Sequence, residues 1–447
     1  MFKISEIIKA TQAQIINGKS DLEFSNLSLD TRRIKKGELF LAIKGSKFDG
    51  HDFLKEAEKK GAVGLIVEKI PKQSFKIPIL KVKDTVKALG DIARYQRNKF
   101  SLPLIAITGS NGKTTTKEML AYLLGLRYKV LKNEGTQNNQ IGLPLTLLKL
   151  NSDYDIVVLE LGTNHFGEIE YLTKICSPNI GIILNIGPAH LEFFKNLKTV
   201  FEEKISLIKN LSYPAIGILN NDDPFLRNFL KKTKDKFLIG FGIKDRCDFQ
   251  AKDLKLKKQK VIFSLNQKDF SLNTLGFFNV YNALASLAVC RLFGFNHEEL
   301  KTRIKKFRFP AQRLEIKKIK GITFIDDTYN ANPSSLNAAL NVLERLKTKN
   351  RKIVVLGDML ELGEKSEKFH YQAGMRVLKL CDIIIGVGAF FGRLDEIAKR
   401  HYLKKKVFTC TTSEEARDLL FKKIKPKKGD LVLVKGSRLM LMEEVLK

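Results

Sequence analysis

Short, uninterrupted apolar runs alternate along the chain with stretches in which apolar residues recur every three to four positions. The runs are GAVGLIVEK (61–69), LPLIAITG (102–109), DIVVLELG (155–162), NIGIILNIG (179–187), PAIGILNN (214–221), RKIVVLGD (351–358), CDIIIGVG (381–388) and DLVLVKG (430–436). A run of this kind with no polar alternation fits a strand buried on both faces of a parallel sheet. The stretches TTTKEMLAYLLG (114–125) and SLNAALNVLERLK (335–347) carry helical spacing. Strand followed by helix, repeated, predicts an α/β protein with parallel sheets covered by helices. No repeat of solenoid length is present. Two basic, proline-containing stretches, NKFSLP (98–103) and KKFRFPAQRLEI (305–316), interrupt the pattern and predict segments 1–100, 101–309 and 310–447. A length of 447 residues suits three domains of about 150 residues each.

Composition narrows the class without naming it. Hydrophobic residues make up 44% and charged residues 28%, and 30 Gly with 11 Pro leave no room for long low-complexity linkers. Five scattered cysteines, Cys176, Cys247, Cys290, Cys381 and Cys410, form no CxxC pair, which predicts reduced thiols in a cytoplasmic protein and no structural zinc. The N-terminus MFKISEIIKATQAQIING is amphipathic, and the longest apolar runs fall short of the ~20 residues a spanning helix needs. No membrane insertion is expected. The net charge of +31 raises nucleic-acid binding as a possibility. The lysines, however, are spread in small groups such as KDLKLKKQK (252–260), HYLKKKVF (401–408) and KKIKPKKGD (422–430), with no zinc finger, RNP motif or basic tail. They read as a solvated surface that also suits anionic substrates.

The strongest motif is LIAITGSNGKTTTKEML (104–120), in which an apolar strand enters Gly109-Ser110-Asn111-Gly112-Lys113-Thr114-Thr115 and then a helix. Glycines allow backbone amides to turn toward a phosphate, and the helix N-terminus adds partial positive charge. Lys113 is expected to neutralise β/γ-phosphate oxygens and Thr114 to offer its hydroxyl to Mg²⁺. The strict GxxxxGK[ST] spacing fails, because Ile107 stands where the first glycine belongs. Downstream, Glu160 ends an apolar run and is the candidate hard-oxygen metal ligand. His190 follows another run, in a loop. Lys204, in VFEEKISLI, reads as a solvated lysine on an amphipathic helix. From chemistry alone, the roles of His190 and Lys204 stay open.

The loop TGSNGKTTTKEM resembles the ATP loop of the Mur ligases, the ATP-dependent amide-forming enzymes of peptidoglycan synthesis, whose loop is the same shortened form. NNQIGLPLTLLKL (138–150), LELGTNHFGEIEYL (159–172), DDTYNANPSSLNAAL (326–340), VLGDMLELGEKSEKFH (355–370) and VKGSRLMLMEEV (434–445) match further segments, in order. The resemblance runs from about residue 24 to the C-terminus. It implies a small N-terminal α/β domain that binds the UDP end of a substrate, a central ATP-binding domain and a C-terminal Rossmann-like domain. The matched segments point to the member that joins D-alanyl-D-alanine to UDP-N-acetylmuramoyl-tripeptide (UDP-MurNAc-tripeptide) through an acyl phosphate. Partners would be those two substrates, with no nucleic acid, and the chain would act as a monomer.

The resemblance also implies site residues. Gly109 to Thr115, with Lys113 central, would hold the ATP phosphates. Thr114 and Glu160 would serve one Mg²⁺, and His190 a second. Lys204, fourteen residues beyond His190, matches a lysine that CO₂ converts to a carbamate metal ligand. Asn279 and Asn282 match asparagines near the nucleotide, and Arg313 and Asp327 match residues the third domain lends to it. In LSLDTRRIKKGELFLAIKGSKFDGHDF (27–53), Ser28, Thr31, Arg32, Lys44 and Gly45 would meet the UDP end. Phe278 and Ser206 depart from the family pattern, where a His and a Glu are usual. Two other readings compete. One is a ligase that adds the third residue of the peptide, whose diaminopimelate-adding members carry a D-N-P-R string absent here. The other, from a different class, is a nucleic-acid-binding ATPase.

Overall fold

The computed structural model describes residues 2–234, 237–257, 259–348, 350–401 and 405–447. All eight apolar runs contain strands: Gly64–Val67, Leu104–Thr108, Ile156–Glu160, Ile180–Ile183, Ile216–Asn220, Lys352–Gly357, Ile383–Val387 and Leu431–Lys435. The two helical stretches lie in Lys113–Leu124 and Pro333–Arg345. The second begins sharply because the Asn332 side chain accepts from Ser335 N at 2.9 Å and Pro333 supplies a preset φ at the first helical position.

The middle of the chain builds a seven-stranded sheet, ordered Phe249–Gln250, Phe237–Gly242, Ile216–Asn220, Ile180–Ile183, Leu104–Thr108, Ile156–Glu160, Val130–Lys132. Every pairing in it is parallel. Its strands bury both faces: Leu104, Ala106, Val157 and Leu159 point into one core, and Ile105, Ile107, Val158 and Ile182 into the other. The strand order reverses beside Leu104–Thr108, so the loops leaving its C-terminal edge and that of Ile156–Glu160 open a crevice, the usual ligand position of such sheets.

A five-stranded, mostly parallel sheet precedes this one, and a six-stranded sheet follows it, parallel except for Glu315–Ile319 against Ile322–Asp327. The helix Thr85–Arg97 joins the first sheet to the second through one continuous core. Arg97 secures the junction: its buried guanidinium donates to the carbonyls of Cys176, Phe100 and Leu102 at 3.1, 2.6 and 3.0 Å. The mixed α/β architecture with parallel sheets is thus as the pattern predicts.

The pattern misses an antiparallel meander, Lys252–Lys257, Lys260–Leu265 and Lys268–Leu272. Its first strand lies in the basic group KDLKLKKQK, whose Lys258 falls outside the described residues, as do 402–404 in HYLKKKVF. The five cysteines are free thiols. Among the described residues no helix is long and apolar enough to cross a membrane.

Candidate active site

The crevice is a cavity of about 930 Å³ above the central sheet, walled on its far side by the third sheet's loops. The phosphate loop forms its floor. Gly109 and Gly112 have φ of 153° and 88°, and a Cβ on Gly112 would stand 2.4 Å from Asn282 Oδ1, so this turn requires glycine. Ser110 Oγ and Gly187 exchange hydrogen bonds at 3.0 and 2.8 Å, and Asn111 and Asn185 do so at 2.9 and 3.0 Å. The loop is therefore braced against the next strand's exit rather than left mobile. Lys113 Nζ donates to Gly109 O at 2.9 Å. Burial pulls its pKa below the ordinary lysine value, Glu160 opposes that pull and Arg313 adds to it.

Glu160 is 2% exposed at the end of its strand. Its Oε1 accepts from Asn138 Nδ2 at 2.8 Å, while Oε2 is buried with no hydrogen-bond partner. An orphaned carboxylate oxygen in such a place is costly, by a few kcal/mol, unless a cation meets it. A hard divalent cation suits this oxygen and the Thr114 hydroxyl in the same cavity. Among the described residues no group of three or more His, Cys, Asp or Glu collects.

Lys204 corrects the reading of a solvated lysine. It is 3% exposed, on the same face of helix Leu197–Lys209 as Val200, Leu207 and Ile208. Burial, and secondarily the charge of Lys113, pushes its amine down to about 7. It is not among the side chains lining the cavity. Its neighbour Glu203 is committed elsewhere, accepting from Thr163 Oγ1, Ile169 N and Gly167 N at 2.9, 2.7 and 2.6 Å.

The third sheet's loops close over this floor. Arg313 Nη2 donates to Thr114 Oγ1 at 2.9 Å, and the guanidinium lies 3.9 Å from the Tyr329 ring centroid. Asn332 Nδ2 donates to Asn111 Oδ1 at 2.9 Å. Asp327 accepts from Lys435 Nζ at 2.6 Å and Leu314 N at 3.1 Å; burial raises its pKa against the pull of Lys435. His190, with φ 54°, meets Glu361 Oε2 through Nδ1 at 2.6 Å. That hydrogen bond holds the Glu361 carboxyl below its usual range. Along the same cavity, Asn282 Nδ2 donates to Asn279 Oδ1 at 2.9 Å, and Asn279 Nδ2 to Thr274 Oγ1 at 2.9 Å. Phe278 offers an apolar face at the cavity wall.

The structure thus gathers Ser110 to Thr115, Glu160, His190, Asn279, Asn282, Arg313 and Asp327 around one space. Ser28, Thr31, Arg32, Lys44 and Gly45 are not among its lining residues. Sequence reasoning missed Asn138, Tyr329, Asn332, Glu361 and Lys435. All lie inside or beside the segments that matched the family, and their polar side chains within those segments were the available signal. Which partner each meets is a long-range fact that no local pattern carries.

Fold and site together define a nucleotide-phosphate-binding α/β enzyme whose loop is completed by a later segment of the same chain. The chain belongs to the Mur ligase family. Residues 23–97 match the Mur ligase family catalytic domain, 107–290 the Mur ligase middle domain and 312–438 the Mur ligase glutamate ligase domain. The UDP-N-acetylmuramoyl-tripeptide–D-alanyl-D-alanine ligase of Bacillus subtilis is 34% identical, over 99% of this chain and 96% of that protein. Its Escherichia coli namesake is 32% identical over 97% of this chain and 96% of the relative. Among solved structures, MurF from Acinetobacter baumannii superposes with a TM-score of 0.90 at 32% identity, covering 100% of this chain and 98% of that one. MurF ligase from Thermotoga maritima in complex with ADP gives 0.83 at 32%, covering 96% and 97%.

Proposed function

We propose that this chain joins D-alanyl-D-alanine to UDP-MurNAc-tripeptide at the expense of ATP. The tripeptide's terminal carboxylate oxygen attacks the γ-phosphorus, the β–γ bond breaks and ADP leaves. The dipeptide's amine then attacks the acyl carbon and loses a proton, the amide forms and phosphate departs. A carboxylate is a poor electrophile, so activation is the difficult part, and positioning with charge neutralisation is what a protein can add. The observation that carries this reading is Arg313 donating to Thr114 on the phosphate loop. A cation from a distant segment joins the phosphate site, where it can meet the charge spread over the three oxygens of a transferring phosphoryl group.

The residues divide the work as follows. Gly109, Ser110, Asn111, Gly112, Lys113, Thr114 and Thr115 cradle the phosphates, and Lys113 with Arg313 opposes their charge. Asn279, Asn282 and Asp327 flank the nucleotide. Thr114 and Glu160 would hold one Mg²⁺, which the buried partnerless Oε2 of Glu160 supports. His190 and Lys204 would serve a second. Bound Mg²⁺ would supply charge neutralisation for the transferring phosphoryl group. A Lys204 amine held near neutral by burial is the form that CO₂ captures, which supports a carbamate there. Residues 1–100 form the UDP-binding domain, with Ser28, Thr31, Arg32, Lys44 and Gly45 at the UDP end. Residues 101–309 form the ATP domain, and 310–447 the domain that closes on it. The enzyme works as a cytoplasmic monomer.

The test is phosphate release with ATP, Mg²⁺ and UDP-MurNAc-tripeptide against a panel of amino acids and dipeptides. D-Ala-D-Ala should support release. Release with single amino acids but not with D-Ala-D-Ala would overturn the assignment.

A further inference from the structure

His190 and Glu361 come from opposite sides of the cavity's mouth. His190 precedes the short helix Leu191–Phe194 after the central sheet, and Glu361 follows the strand Lys352–Gly357 of the third. Both hold left-handed backbones, φ 54° and 62°, although neither is glycine. Such conformations cost of order 1 kcal/mol or more each and persist only where the surroundings over-determine them. Here they do. Glu192 N donates to Glu361 O at 3.0 Å, and Lys365 Nζ to Lys195 O at 3.1 Å. Leu360 N donates to Ser437 Oγ and Met359 N to His370 Nε2, both at 2.8 Å. Both sides of the contact are therefore held by hydrogen bonds of their own.

The contact is also chemically selective. An ionised carboxylate only accepts, so its 2.6 Å bond to His190 Nδ1 requires the proton on that nitrogen. Nε2 is then the ring nitrogen left to the cavity, which His190 lines and Glu361 does not. A carboxylate behind a histidine in this way fixes the orientation of the ring. We propose that Glu361 is a positioning residue: by holding Nδ1 it orients the His190 ring with Nε2 left to the cavity, and it does so only while the third domain is docked on the central one. The histidine of the central domain would then become a competent ligand at the moment Arg313 and Asn332 reach the phosphate loop, so that closure and site assembly are one event. This deepens the proposed ligase reading and rests on it, but the state of Nδ1 can be read with no substrate present.

The experiment uses the full chain with ¹⁵N-labelled histidine, His190 being assigned by its loss in His190→Gln. Wild type should show Nδ1 protonated and hydrogen-bonded at this residue. Glu361→Ala should lose that pattern and fall about 10–100-fold in kcat, the range for loss of a carboxylate behind a ligating histidine. Glu361→Gln, whose amide oxygen still accepts, should keep the pattern and recover most of the rate. Lys365→Ala removes a neighbouring bond between the same two loops without touching His190, and should leave the pattern as in wild type. An unaltered pattern in Glu361→Ala would overturn the proposal. So would an altered pattern with unchanged kcat, or a Lys365→Ala variant as impaired as Glu361→Ala, since docking alone would then explain the contact. Failure of D-Ala-D-Ala to react would strike the ligase reading and leave the Nδ1 result standing.

Discussion

The cavity under the third sheet and the candidate UDP face of the first sheet treat polar groups in opposite ways. In the cavity they are buried or half-buried, and in one case left unsatisfied: Lys113 against Gly109 O, Arg313 from a distant segment on Thr114, Glu160 Oε2 with no partner. On the first sheet Arg32 and Lys44 are exposed and Ser28 half-buried, and the polar partners are local. Arg32 donates twice to Asp30 two residues away, at 2.9 Å from Nε and 2.8 Å from Nη2, and holds that carboxyl down at about 2. Ser28 Oγ donates to Asp30 O at 3.2 Å. The first arrangement stores electrostatic preorganisation, which is worth most where water is excluded. The second stores little, and can only contribute when a substrate arrives and displaces a solvated partner. Effects of substitution should therefore fall steeply from one region to the other.

Lys113→Ala tests the steep end. It removes the half-buried cation of the loop, and turnover should fall by about 10³-fold or more with the thermal midpoint nearly unchanged. Near-normal turnover in the folded variant would take the loop out of the mechanism. Arg313→Ala comes next, at roughly 10²-fold in kcat. Arg313→Lys should recover little of it, because the planar fork that reaches Thr114 while lying on Tyr329 is specific to a guanidinium. Full recovery with lysine would reduce Arg313 to a general positive charge.

The two regions also differ in how far the sequence discloses them. The floor of the cavity is local information. Apolar runs end in Gly109 and Glu160, so the strand ends and the loop are readable from spacing alone. Lys204 was readable too: with Val200, Leu207 and Ile208 it falls at the i, i+4, i+7, i+8 positions of one helical stripe, and a lysine on an apolar stripe is buried. Its charge concealed this. The same bias hid the meander, where Lys260–Leu265 alternates buried and half-buried residues with the period of a strand. What no pattern could disclose is the roof. Arg313 to Thr114, Asn332 to Asn111 and Glu361 to His190 bridge 199, 221 and 171 residues, and such pairings follow only from the packing of whole sheets.

Lys204 sharpens the contrast by separating stability from function. An amine pushed from 10.5 to about 7 by burial opposes folding wherever the unfolded chain would be protonated. Between pH 7 and 10.5 the unfolded state holds more protons than the folded one, so stability at this site rises with pH across that window. Lys204→Met should therefore be more stable than wild type near neutrality in CO₂-free buffer, by of order a few kcal/mol, while losing most activity. The gap should narrow toward pH 10. Urea midpoints of both proteins at two pH values read it. A gap that widens with pH, or a Met variant less stable throughout, would mean that burial does not neutralise this amine.

Arg32→Ala probes the shallow end, where the smallest effect is expected. Its side chain is 85% exposed, and its partner Asp30 is two residues away, so the substitution leaves no buried charge behind and disturbs no packing. Surface ion pairs of this kind contribute little to folding, and the thermal midpoint should not move. If Arg32 meets the substrate's diphosphate, it does so in the ground state and the transition state alike, far from the reacting carboxylate. Uniform binding of that sort raises KM without touching kcat when it is removed. The expected result is a KM for UDP-MurNAc-tripeptide raised roughly 3–10-fold with kcat unchanged, for loss of one exposed phosphate contact. The increase should shrink as salt rises through a few hundred millimolar, because an exposed contact is screened over a Debye length of about 10 Å or less. A fall in kcat at unchanged KM would place Arg32 in the chemistry instead, and the division between a preorganised cavity and a passive binding face would fail.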